Sequence, residues 1–314
     1  MAQSVALDAL PELSRSRRLP LYIDVFRRLV KEKPLGFASA IIVLVFFAMA
    51  VLGPSIAPFG ANELGEGQRL SAPSLGHLLG TDNLGRDVFS RVVYGARVSM
   101  TIGFLAVLVS TIIGLVIGVV SGYFGSAVDM LAQRLVDAFI AFPALVFLLA
   151  LAAVFRGHAI PGLPKAGLFA TSNVVLMVSV GLLLGVSSSR IIRSATITVK
   201  NSTYMEASRA IGCGQTRMIM VHVLPNVMPP TITLATLGLG TAILIEASLS
   251  FLGLGVPPDT PTWGGMLSRE ARSWMTQAPW MALGPGIALS LAVFAFNMLG
   301  DALRDLLDPR LRTS

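Results

Sequence analysis

Residues 204–226 read YMEASRAIGCGQTRMIMVHVLPN, and the fold of the chain is decided by how this stretch is explained. It belongs to a polar, basic segment, residues 190–226, lying between two long apolar runs and carrying Arg190, Arg193, Lys200, Arg209 and Arg217. Its pattern is that of two short helices placed around Gly212, with Leu224 and Pro225 closing the second before apolar sequence resumes. Helix–helix connections are usually a few residues long. One this long, charged and helical is shaped to be gripped by something outside the membrane.

Working outward, the 314 residues are 54% hydrophobic and only 13% charged, about half the charged fraction usual for soluble domains. Apolar, nearly uncharged runs at residues 37–58, 98–124, 127–155, 173–192, 227–252 and 279–300 are each long enough to cross a bilayer. The expectation is an all-α integral membrane protein with six transmembrane helices. With the N-terminus inside, sixteen of the 24 Lys and Arg fall in cytoplasmic segments, so both termini are placed in the cytoplasm. The same rule accounts for the +7 net charge, and no nucleic-acid partner is called for. Residues 1–36 form a cytoplasmic segment too long and polar for a cleavable signal. In it Tyr22, Val25, Phe26, Leu29 and Val30 make one apolar face, which fits either an amphipathic helix on the inner membrane surface or an ordinary cytoplasmic extension of the first span. Residues 59–97 and 253–278 are outer loops, residues 98–300 a five-helix core, and residues 301–314 a cytoplasmic tail.

Several residues inside or beside the spans stand out. Gly114, Gly118 and Gly122 recur at one-turn spacing, as do Gly181 and Gly185, so that helix backbones approach closely, within the bundle or against another chain. Arg134 and Asp137 are expected to pair on one helix face. Asp137 and the unpaired Glu246 are the candidates for the translocation pathway or a subunit interface, because buried charge in a membrane is costly. Pro143 predicts a kink in the third span. Alternating Asp82, Arg86, Asp87, Arg91 and Arg97 are expected to form ion pairs in the first outer loop. Leu84, Val88 and Val92 there suit a short helix leading into the second span, and residues 266–275 another short helix in the second outer loop. Trp263, Trp274 and Trp280 suit an interfacial aromatic belt.

The chemistry of hydrolysis is missing. Lys31, Lys33, Lys165 and Lys200 follow Val, Glu, Pro and Val, so there is no Gly-Lys of a phosphate-binding loop. His77, His158 and His222 lie in separate segments, and Cys213 is the single cysteine, so no metal site or disulfide is expected. The chain is not expected to be an enzyme. A transporter with few intramembrane charges and no evident repeat does not suit a stand-alone secondary mechanism either, and must borrow its energy.

Glu206-Ala207-Ser208, then Gly212, then His222 and Leu224-Pro225, resemble the EAA loop of bacterial ABC-importer permeases, with Ser208 in place of the second alanine and His222 where isoleucine is commoner. LGTDNLGRDVFSRVVYGARVS at 79–99, EASLSFLGLGVPP at 246–258 and GDALRDLLDPRL at 300–311 are similar to the C-type subunit of dipeptide/oligopeptide permeases, a subfamily that also serves nickel and glutathione. The resemblance covers roughly residues 35–311. It implies the type I ABC importer fold and a pathway shared with a homologous second permease subunit. It also implies an extracytoplasmic binding protein, and two cytoplasmic ATPase subunits that dock on the loop and hold the ATP and Mg²⁺. The chain itself would then bind no cofactor. Peptides are the expected cargo, in the cytoplasmic membrane of a bacterium.

Overall fold

The computed structural model describes residues 21–64, 68–155, 158, 160–164 and 167–307. Arg15, Arg17, Arg18, Arg310 and Arg312 lie outside them, as do the side chains of Tyr22, Val25 and Phe26. Among the described residues the secondary structure is helical, apart from one isolated bridge between Thr81 and Asp87. In chain order the elements are α1 (Leu21–Glu32), α2 (Pro34–Ile56), α3 (Val88–Phe124), α4 (Ser126–Ile140), α5 (Ala144–Phe155) and α6 (Thr171–Lys200). They continue with α7 (Thr203–Ala210), α8 (Gln215–Arg217), a π-helical turn (Met218–Val223), α9 (Leu224–Phe251), α10 (Trp263–Met266), α11 (Arg269–Trp274) and α12 (Trp280–Leu307).

Five helical stretches are long and apolar enough to cross a membrane: α2, α3, α6, the run Gln215–Phe251 and α12. A sixth crossing is made if α4 and α5 count as one span, bent by 81° at the break before Pro143. Proline has no N–H to donate and its ring crowds the preceding turn, so the helix stops and restarts in a new direction.

The central element is α3, which packs on α2, α6 and α9, while α12 closes the bundle against α2 and α9. It begins at Val88 and runs without interruption, so the short helix expected before the second span and the span itself are one piece. Asp87 caps it, accepting from Ser90 N at 2.7 Å. Asp82 folds the preceding loop: its carboxylate accepts from Leu84 N and Arg86 N and is paired with the Arg86 guanidinium at 2.6 Å, with Asp82 and Arg86 both buried.

Small residues set the closest contact. A Cβ on Gly118 would lie 2.8 Å from Ile192 and from the Ser189 carbonyl, and one on Gly122 2.8 Å from Thr196. Gly181 and Gly185 on α6 return the relation, facing Val109 and Ile113 of α3. Gly114, Gly118 and Gly122 therefore serve contact between α3 and α6 of the same chain. In lipid this contact, rather than apolar burial, is what holds two helices.

At one end of the bundle α1 folds back on α12. Leu29 is buried against Ala302 and Leu306, and Lys33 is paired with Asp305 at 2.5 Å. At the other, Trp263 is fully buried, with its indole N–H donating to the Val92 carbonyl at 3.0 Å and its ring edge-on to Phe46. Trp280 donates to the Thr81 carbonyl. Trp263 is thus a core residue and not part of an interfacial belt, because the loop before α10 tucks between α3 and α9.

Candidate functional site: a helical elbow and the cavity at the far end

The elbow begins where α6 ends. α6 continues to Lys200, so part of the segment read as a loop is the last turns of a spanning helix. After Asn201 and Ser202 the chain turns into α7, whose first turn carries Glu206 on an exposed face beside Ala207. Ser208, the next residue, donates to the Tyr204 carbonyl one turn back at 2.8 Å. The helix ends in a left-handed cap: Gly212 has φ +81°, its N–H meets the Arg209 carbonyl, and the Cys213 N–H meets the Ser208 carbonyl. Glycine takes this conformation without the Cβ penalty, and the two bonds satisfy carbonyls that the helix leaves open.

The other arm does not end at Leu224 and Pro225. α8, the π turn and α9 form one continuous run of 37 residues, Gln215–Phe251. The expected stop is replaced by a change of hydrogen-bond register, in which Leu224 N–H reaches the Ile219 carbonyl five residues back. The π turn accommodates Pro225, which has no N–H for the regular ladder, and Asn226 occupies the His222 carbonyl at 2.7 Å. His222 lies in this turn, its ring 6.3 Å from that of Tyr204 on α7.

The two arms are fastened by a group of apolar side chains that sequence reasoning passed over. Met205, Met218, Val223 and Val227 are buried together with Ile192 of α6 and Tyr123 of α3. Met205 is the single buried residue of α7, so every other side chain of that helix faces outward to some degree. Val223 and Val227 are one turn apart, but Met218 lies five residues before Val223, off the spacing of an α-helical face, and joins them only because the π turn shifts the register.

The charged candidates fall differently from expectation. Asp137 does not pair with Arg134; its carboxylate meets Arg190 of α6 at 2.5 Å, on an exposed surface. Asp129 and Arg193 make a second α4–α6 link through two bonds of 2.5 Å. A guanidinium on a neighbouring helix reaches these carboxylates, whereas Arg134 projects from α4 itself. Glu246 is fully buried inside the chain, which removes it from any pathway surface or subunit interface. Ser250 Oγ donates to one of its oxygens at 2.8 Å and Ser99 Oγ to the other at 3.3 Å, with Thr262 adding a further bond. Ser99 in turn accepts from Trp263 N. The carboxylate therefore ties α3, α9 and the start of α10 together.

Those residues back the wall of a cavity of about 950 Å³ at the end of the bundle remote from the elbow. It lies among α5, the first turns of α6, the end of α9, the loop at 253–262 and α10–α11. Ser250 and Thr262, which hold Glu246, line it. The run Gln215–Phe251 thus spans from the elbow at one end to the cavity at the other.

The helical bundle has an exposed elbow at one end and an open cavity at the other, and comparison with known proteins places it among membrane-transport subunits. Residues 114–313 match the family described as binding-protein-dependent transport system inner membrane component, and residues 21–73 match the N-terminal TM domain of oligopeptide transport permease C. The chain belongs to this family of permease subunits and is a multi-pass inner-membrane protein. It is 38% identical over 290 residues to a dipeptide transport system permease protein of Alkalihalophilus pseudofirmus, covering 92% of this chain and 90% of that one. It is 35% identical over 300 residues to a glutathione transport system permease protein of Pectobacterium atrosepticum, covering 95% and 94%. A dipeptide permease protein of Haemophilus influenzae is 37% identical over 288 residues, covering 90% and 92%.

Proposed function

We propose that this chain forms half of the pathway of an ATP-driven importer of di- and oligopeptides, and that its elbow receives the motion of the ATPases. The observation that carries the reading is the unbroken run from Gln215 to Phe251. A force applied beside Glu206 enters one continuous helical run that reaches the cavity end of α9, because α7 is packed on that run through Met205, Met218 and Val223. The exposed faces of Glu206, Ala207, Ile211 and Met220 are the docking surface. A homologous permease subunit supplies the rest of the pathway, a binding protein delivers solute, and ATP with its Mg²⁺ stays on the two ATPase subunits. The chain itself hydrolyses nothing. Both termini and the elbow lie on the cytoplasmic side, which the family's dependence on an external binding protein supports. Glutathione is the second reading for the cargo, favoured by the relative that transports it.

The test is the whole transporter reconstituted with its binding protein. Glu206→Ala and Gly212→Trp are expected to lower both dipeptide uptake and binding-protein-stimulated ATP hydrolysis at least about tenfold, the size of an ordinary coupling energy, while the permease subunits still co-purify. Unchanged coupling in correctly assembled complexes would sink the docking role of the elbow.

A further inference from the structure

We propose that the cavity remote from the elbow is an anion-receiving site, with Arg272 as its cation, and that it takes a carboxylate of the transported solute. Among the described residues its wall carries three basic groups, Arg91, His158 and Arg272, and no acidic side chain. The three are not equivalent. Arg91 is committed to the fold: it donates to the Ala61 carbonyl and to Asn62 Oδ1, both at 3.0 Å, and lies 3.9 Å from the Asp82 carboxylate. Arg272 is exposed, pairs with no carboxylate among the described residues, and rests over the Phe251 ring at 5.4 Å. An aromatic face orients a guanidinium and leaves its fork of N–H donors open. That fork matches a carboxylate with two parallel hydrogen bonds.

Two further features carry the same sign and scale. α6 starts on this wall, with Thr171 and Ser172 lining the cavity, and Ala170 before them offers no side-chain cap. The partial positive charge of that helix end adds to the field of Arg272. The volume, about 950 Å³, is that of a pocket for an organic solute with side chains and far exceeds what a small hydrated ion fills. Apolar walls from Phe155, Val175 and Leu254 accept varied side chains without reading them. A site of this kind anchors what all peptides share, the terminal carboxylate, and repels a bare divalent cation. In naming a peptide carboxylate the proposal rests on the peptide reading above; the anion preference of the cavity does not.

The test therefore begins with a measurement that needs no knowledge of the cargo. In the reconstituted transporter Cys213 is replaced by serine and Ser268→Cys places a thiol on the cavity wall, one helical turn before Arg272, whose N–H bonds the Ser268 carbonyl. Labelling of this chain by a negatively and a positively charged methanethiosulfonate is followed by mass, each rate divided by that for a free thiol in solution. The anionic reagent is expected to be favoured about tenfold or more, as a focused cationic site concentrates anions. The preference should survive Arg272→Lys and fall to near unity in Arg272→Gln. Equal normalised rates in the parent protein overturn the proposal, and so does a preference that Arg272→Gln leaves intact. A second arm measures dialanine uptake, in which Arg272→Gln should raise KM about tenfold with ATPase stimulation retained at saturating dialanine. A transporter that keeps the anion preference and its dependence on Arg272 but takes up no dipeptide overturns the peptide reading while upholding the anion site.

Discussion

At residue 246 a carboxylate sits in one of the most apolar parts of the chain, fully buried, with hydroxyls of Ser99 and Ser250 on its two oxygens. Its presence was plain in the sequence; its partners were not, because Ser99 is 147 residues away and meets it only when α3 and α9 pack. Glu246→Ala leaves those donors without an acceptor and is expected to cost at least about 2 kcal/mol, read as a lower thermal midpoint of the solubilised permease. Glu246→Gln keeps one carbonyl acceptor and should lose less. An unchanged midpoint in the alanine variant would contradict the clamp. At Gly212 the situation is reversed. The positive φ is local, and a Cβ there would meet nothing within 4 Å of this chain. Gly212→Ala should cost only the backbone strain of the left-handed region, about 1 kcal/mol, and Gly212→Asn still less. Any much larger loss of coupling in a bulky variant then reports on the docked partner.

On the scale of elements, α3 and α6 are held by glycines whose neighbours differ in how far they yield. A side chain at Gly118 would strike the Ser189 carbonyl and the branched Cβ of Ile192. One at Gly114 would first meet the Ser188 hydroxyl, the end of a short side chain that can turn away. Gly118→Val is therefore expected to destabilise by about 1–3 kcal/mol, and Gly114→Ala by clearly less, in the same thermal assay. The reverse order would show that the two helices do not meet on this face. α4 is joined to α6 by Asp129 and Arg193, part-buried and bonded twice. Reversing both charges should restore the midpoint that either single reversal lowers, and a double variant no better than the singles would remove this link. The glycine stripe could be read from spacing alone, since it follows the helix turn. The ion pairs could not: Asp137 has Arg134 three residues before it and binds Arg190 instead. Proximity along a helix is only one way for a long guanidinium to find an acid.

For the molecule as a whole, an exposed elbow and a distant cavity are joined by one helical run, and in the role proposed above the ATPase subunits supply the motion it transmits. The purified permease pair in vesicles is expected to show no ATP-independent dipeptide uptake, and uptake should appear when the ATPase subunits, the binding protein and ATP are supplied. Uptake by the pair alone would overturn the importer reading. The helical membrane fold, the approximate spans, the kink before Pro143 and the turn at Gly212 were legible in the sequence because each depends on local chemistry: apolar length, a missing N–H, a tolerated positive φ. Other features arose only when distant segments met. The π turn that carries the chain through Pro225, the burial of Trp263 and Glu246, and the convergence of Arg272 with the end of α9 and the start of α6 belong to this group. Hydropathy and spacing state what each segment must bury. Which partner it is buried against is a property of packing, and packing is decided among residues that the chain keeps far apart.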